Sequence, residues 1–218
     1  MDRINEPPPL ITLISTIHEE HGKCNSDELC SILEILKPEV IFLEALDNTY
    51  SNYDKQMFEN FGVYHHKLEL AAIQKFIKYC PVTYISVLDK QLPESFNEKY
   101  DQLDNFNELK QLFENQNKII EREGFDYLNS SRCTVQNEEL RELEVKLLND
   151  SELEQIVRSD IDEYENSMMR NIQSYCSKNQ FNNAVFMCGV AHRKSIISKI
   201  EQFSNNGKRE INWKVYGN

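Results

Sequence analysis

Basic side chains are scarce in this sequence. Lys and Arg total 24 against 36 Asp and Glu, a formal net charge of −12. Non-specific nucleic-acid binding needs a basic surplus to neutralise phosphates, and docking on an anionic membrane needs the same, so neither partner is expected. Long apolar runs are also missing; nothing approaches the roughly 20 residues of a membrane helix. The opening Met1-Asp2-Arg3-Ile4-Asn5-Glu6 lacks the basic-then-apolar order of a secretion signal, and the expectation is a cytoplasmic protein. Glycine is thin, with six residues, and no Gly-rich phosphate loop, GxSxG or HExxH occurs. Cys24, Cys30, Cys80, Cys133, Cys176 and Cys188 include no CxxC pair. A small secreted disulfide framework clusters its cysteines in a far shorter chain, so these read as reduced.

What remains is ordinary globular material: 40% hydrophobic and 28% charged residues, enough for a packed core. After the stiff Pro7-Pro8-Pro9, Leu10 to Ile14 is a β-branched run without alternation, as in a strand covered on both faces. Asn25 and Glu28 mark a helix start, with Leu29, Ile32, Leu33 and Leu36 at helical spacing and Pro38 as the stop. Val40 to Leu43 is a second buried strand ending at Glu44. Strand, helix and strand in this order imply a parallel βαβ unit. The segment from Tyr50 to Gly62 reads as loop, a helix runs from about His66 to Tyr79, and a third strand covers Val82 to Leu88. From about 94 to 177 the composition turns acidic, with Leu at helical spacing. That segment predicts two or three helices with a break between Arg122 and Val135 and charges that mostly form a solvated face. Ala184 to Cys188 is a fourth buried strand, with Cys188 packing at its end. A helix carrying Ile196, Ile197 and Ile200 follows, then an alternating edge strand over 210–216. The fold class is α/β: one domain with a mostly parallel central sheet flanked by helices and an acidic helical insertion.

In open parallel sheets, ligands bind beyond the carboxyl ends of the strands. His18, Glu44, Asp89 and His192 each lie just past such an end. Two imidazoles and two carboxylates in one pocket can bind a divalent ion and activate water, or act as base and acid without metal.

These residues also carry a resemblance. Ser15-Thr16-Ile17-His18, Ser26, Pro38 with Val40 to Glu44, Glu69-Leu70-Ala71-Ala72-Ile73, Leu88-Asp89-Lys90, Met168-Met169-Arg170 and Gly189-Val190-Ala191-His192 fall in one order. The chain resembles the TraB/PrgY and Tiki group of the erythromycin esterase and ChaN-like superfamily over residues 10–90 and 165–200. Ser15 stands where that group has glycine. The resemblance implies a hydrolase, of peptide bonds in Tiki-like members, dependent on a divalent ion (Mn, Co, Fe or Zn) held by His18, Glu44 and His192. Arg170 would stabilise an oxyanion or meet a substrate carboxylate, and Glu69 and Asp89 would contact substrate. The alternatives are a metal-free esterase with histidine-activated water, and a non-catalytic binding, signalling or haem-binding module as in ChaN. The partner expected is a peptide or small-molecule substrate; an oligomer is left open. Two placements are predicted: His18 and His192 share a pocket, and Arg170 reaches it from the late helix.

Overall fold

A computed structural model describes residues 7–204 and 210–217. Five strands form one sheet: β1 (Leu10–Thr16), β2 (Val40–Leu43), β3 (Thr83–Ser86), β4 (Asn183–Gly189) and β5 (Asn212–Val215). Their order is β3-β2-β4-β1-β5, and every ladder is parallel. The architecture is therefore α/β, as the βαβ reading expects. The three central strands alternate between two cores. Ile14, Ile41, Leu43, Val185 and Met187 face one side. Ile11, Leu13, Val40, Phe42, Ala184, Phe186 and Cys188 face the other. Both faces are buried, which explains why β1 and β4 read as near-continuous apolar runs.

The first face is covered by α1 (Ser26–Leu36) and α3 (Leu68–Phe76), with part of α5 (Asn107–Leu128). Asn25 caps α1 by accepting from the Asp27 and Glu28 amides. Glu28 does not return the favour as a capping box would; it accepts instead from the Phe125 amide at 3.4 Å. That acceptance coincides with a bend in α5 at Gly124, where φ is +61° and ψ −141°. A side chain there would press on the Glu28 carboxylate, which would have to shift; it is the positive φ that calls for glycine.

The expected loop from Tyr50 to Gly62 is mostly helix, α2 (Asn52–Phe61). Ser51 and Asp54 form a capping box at its start and Gly62 ends it, yet it buries no residue. Tyr53, Met57, Phe58 and Phe61 recur at helical spacing and were a signal for it, although the stripe they form does not reach the core.

Four helices fill the insertion rather than two or three: α4 (Glu94–Leu103), α5, α6 (Ser131–Leu148) and α7 (Ser151–Lys178). The break between α5 and α6 falls at Asn129 and Ser130, inside the predicted window, with Ser130 capping α6. Leu103, Leu109, Leu140, Leu148, Leu153 and Val157 make a separate small core among these helices. The C-terminal half of α7 and α8 (Arg193–Ser204) cover the second sheet face through Met168, Met169, Ile172, Ile196 and Ile200. All six cysteines are free thiols. None of the described helices is long and apolar enough to cross a membrane.

One buried cation knots this frame. Arg193, 1% exposed, donates to Ser15 Oγ, to Asn129 Oδ1 and O, and to the Tyr216 carbonyl at 2.7 to 3.2 Å. Asn129 in turn accepts from the Ser15 amide at 2.8 Å and donates to its carbonyl at 3.1 Å. The Ser15 hydroxyl, absent from a glycine, is thus part of the knot that joins β1, the α5–α6 corner, α8 and the end of β5.

Candidate functional site

The carboxyl ends of β1, β2 and β4 lie side by side, with Thr16 opposite Gly189 and Leu43 opposite Met187. Beyond them opens a cavity of about 870 Å³ whose walls include Thr16, His18, Glu44, Gly189 and His192 from the sheet side and α4, α6 and α7, with Glu165, from the insertion. The volume is in the upper range of small-molecule pockets.

His18 follows β1. Its carbonyl accepts from the Leu68 amide at 2.9 Å, so the loop after β1 is fastened to the first turn of α3. The next residue of that turn, Glu69, is 4% exposed and faces His18 Nδ1 at 3.1 Å. Thr16 Oγ1 donates to the same Glu69 oxygen at 2.8 Å. The hydrogen bond to Glu69 is the main influence on His18 and raises its pKa above 6.5, against partial burial. The imidazole is about half exposed, with Nδ1 committed to Glu69 and Nε2 left to the cavity.

His192 ends a 3-10 turn, Val190–His192, after β4. Both of its ring nitrogens face carboxylates: Nδ1 lies 2.8 Å from Glu165 and Nε2 3.3 Å from Glu44. Burial by itself disfavours the charged ring, but the Glu44 charge and hydrogen bonds to Glu165 and Glu44 outweigh it and raise the pKa to about 10. His192 is an imidazolium at neutral pH. Glu44 opposes burial with the His192 charge and with the Gly189 amide, which donates at 2.6 Å, and its pKa is lowered. The Tyr164 hydroxyl adds a third donor to Glu44 at 3.1 Å. Glu165, 1% exposed, also accepts from Ser195 Oγ and lies 3.8 Å from the ammonium of Lys199.

Of the residues singled out from sequence, His18, Glu44, Glu69 and His192 are brought together. Arg170 is not. It pairs with Glu163 at 2.6 Å on the surface, about half exposed. Met168 and Met169 are both buried, and the helical turn that buries them carries position 170 out to solvent. Asp89 also lies outside the cavity; it is exposed and accepts from Asn171 at 3.0 Å. β3 is an edge strand, and its carboxyl end is one strand removed from the three that meet.

Glu165 and Tyr164 escaped the sequence reading because the insertion's charges read as a solvated face. A signal was there: Ile161, Glu165, Met168, Met169 and Ile172 share one helical stripe, and a carboxylate inside an apolar stripe needs a buried partner.

The expected divalent ion does not fit this donor set. Among the described residues no group of three or more His, Cys, Asp and Glu side chains is placed to hold a metal ion. His192 turns both ring nitrogens to carboxylates, Nδ1 to Glu165 at 2.8 Å and Nε2 to Glu44 at 3.3 Å, so neither is open to a metal ion. The arrangement instead offers one oriented, half-exposed imidazole beside a charge-paired cluster of His192, Glu44 and Glu165 on the same cavity wall.

No protein-family model matches the chain, and no curated protein matches it. Among solved structures it is similar to ChaN of Campylobacter jejuni, in a structure of cofacial haem binding. Identity is 18% over 97% of this chain and 83% of that one, with a TM-score of 0.34. At that level the likeness carries no functional argument.

Proposed function

We propose that the protein is a metal-independent hydrolase of carbonyl esters, with His18 as general base. The observation that supports this most is the Glu69–His18 pair. Glu69 fixes Nδ1 at 3.1 Å, which leaves Nε2 to take a proton from a water in the cavity. The water oxygen attacks the ester carbonyl carbon as its proton moves to Nε2. The tetrahedral oxyanion collapses, the bond to the leaving alkoxide breaks, and the alkoxide recovers the proton from His18. Products are a carboxylic acid and an alcohol. His192, with both ring nitrogens committed to Glu44 and Glu165, is not free to donate to the oxyanion; it holds the Glu44 carboxylate in place on the same wall. This reading keeps the esterase branch of the superfamily resemblance and gives up the metal-dependent peptide hydrolysis of the TraB and Tiki branch.

The test is hydrolysis of p-nitrophenyl acetate with excess chelator. Turnover above the buffer rate should be unaffected by chelator, and His18→Gln should lower kcat/KM by about 10² to 10⁴-fold. A wild-type rate no faster than buffer, or full loss on chelation, sinks the proposal.

A further inference from the structure

The cavity has a second polar station that the proposed chemistry does not use. Lys99 of α4, 6% exposed, pairs with Glu144 of α6 at 3.1 Å and with Glu154 of α7 at 3.0 Å. The Tyr100 hydroxyl donates to the other Glu144 oxygen at 2.8 Å, and Arg158 Nε donates to the other Glu154 oxygen at 2.7 Å. Phe96 lies against Tyr100 with ring centroids 4.6 Å apart. All six side chains line the cavity. The charges cancel, two carboxylates against one ammonium and one guanidinium.

That balance selects the ligand. A charged ligand would have to displace a partner from a neutral set, leaving a buried charge uncompensated. A wholly apolar one would strip water from the carboxylates without replacing its hydrogen bonds. A hydroxyl group does neither, because it both donates to a carboxylate and accepts from an ammonium or guanidinium. The rings of Phe96 and Tyr100 offer flat apolar faces for the C–H side of a sugar ring.

We infer that this station binds a neutral polyol, a sugar ring above all, and that the substrate is an acyl ester of such a polyol. The ester part rests on the hydrolase reading; the polyol binding does not. Val157 and Ile161, on the same cavity wall, suit an acyl chain.

The experiment is calorimetric titration of the full chain with octyl β-glucoside, octyltrimethylammonium and octyl sulfate, each below its micelle concentration. The glucoside should bind at least about tenfold more tightly than either ion, a difference of about 1.4 kcal/mol. Tyr100→Phe, which keeps the ring, and Glu144→Gln should each weaken the glucoside several-fold with circular dichroism unchanged. Equal binding of the three amphiphiles, preference for an ion, no glucoside binding, or glucoside affinity unchanged in both variants overturns the inference and leaves the cluster as a brace between helices. Glucoside preference without hydrolysis of any ester would refute the hydrolase reading alone. Acetate hydrolysis without glucoside binding would refute the polyol station alone.

Discussion

The orientation of one imidazole decides what this site does. His18 turns Nδ1 to Glu69 because the Leu68 amide fastens the His18 carbonyl at 2.9 Å, placing the next side chain of α3 beside the ring. A base must be neutral to accept a proton, and Glu69 raises the His18 pKa above 6.5. The kcat/KM profile should therefore rise with an acid limb above pH 6.5 and fall again near pH 10, where His192 loses its charge and leaves Glu44 and Glu165 as uncompensated neighbouring carboxylates. Glu69→Gln removes the main raising influence, so its acid limb should move to lower pH while the maximum drops about tenfold. A pH–rate series on the two proteins checks this; an acid limb that stays in place would mean another group controls the rate. Both histidines, Glu44 and Glu69 were legible in the sequence, because each is the first polar residue past a buried strand or opens a helix. Glu165 was not: its role depends on which side of a long helix meets the sheet, and the acidic residues around it hide the stripe it belongs to.

Elements explain what single residues cannot. The strands were legible because both faces of the sheet are covered, so β2 is apolar throughout and β1 and β4 carry apolar runs interrupted by few polar residues. The helix α2 was missed although Ser51 and Asp54 cap it, Gly62 ends it and Tyr53, Met57, Phe58 and Phe61 fall at helical spacing. Arg170 shows the limit of reading a helix by neighbours: two buried methionines beside it point away from it. The turn after β4 shows the limit of reading a motif by its glycine. Gly189 has φ −54°, open to any residue, and an added Cβ would stand 3.5 Å from Glu44 Oε2 and 3.7 Å from His192 Cδ2, ordinary contact distances. What the turn needs at this position is the amide, which donates to Glu44 at 2.6 Å. Gly189→Ala should keep kcat/KM within about twofold. Gly189→Pro should cost at least tenfold in rate and about 1–3 kcal/mol of stability, because a buried carboxylate loses a donor. Parallel kinetics and denaturant melts of the two variants decide it; an alanine as damaging as proline would show that space, not the amide, is what the glycine supplies.

Over the whole molecule, stability is tied to the charge state of the same cluster. The His192 pKa is raised from 6.5 to about 10, so its contribution is fully present below pH 6.5 and is lost as pH rises towards about 10. The Glu44 pKa is lowered from 4.5, so its contribution is present above pH 4.5 and lost as pH falls through the lower folded value. The wild-type melting temperature should hold a plateau between about pH 4.5 and 6.5 and decline above it. His192→Gln removes the titrating ring, so the wild-type advantage over it should shrink between pH 6.5 and 10, by an amount on the order of a few kcal/mol. Thermal melts of both proteins across that range test this; parallel curves would show that His192 is neutral when folded.

The order of the strands has a consequence for how the chain is made. β1 is synthesised before both of its ladder partners: Leu10, Ile11, Leu13 and Ile14 make it apolar, and those partners begin at Asn183 and Asn212. Throughout the synthesis of α1 to α7 both of its edges lack their own partners, and an open apolar strand is a template for pairing with another chain. Such non-local closure is slow. One edge of β1 is closed when β4 slots between β1 and β2, and the other only when β5 pairs along it.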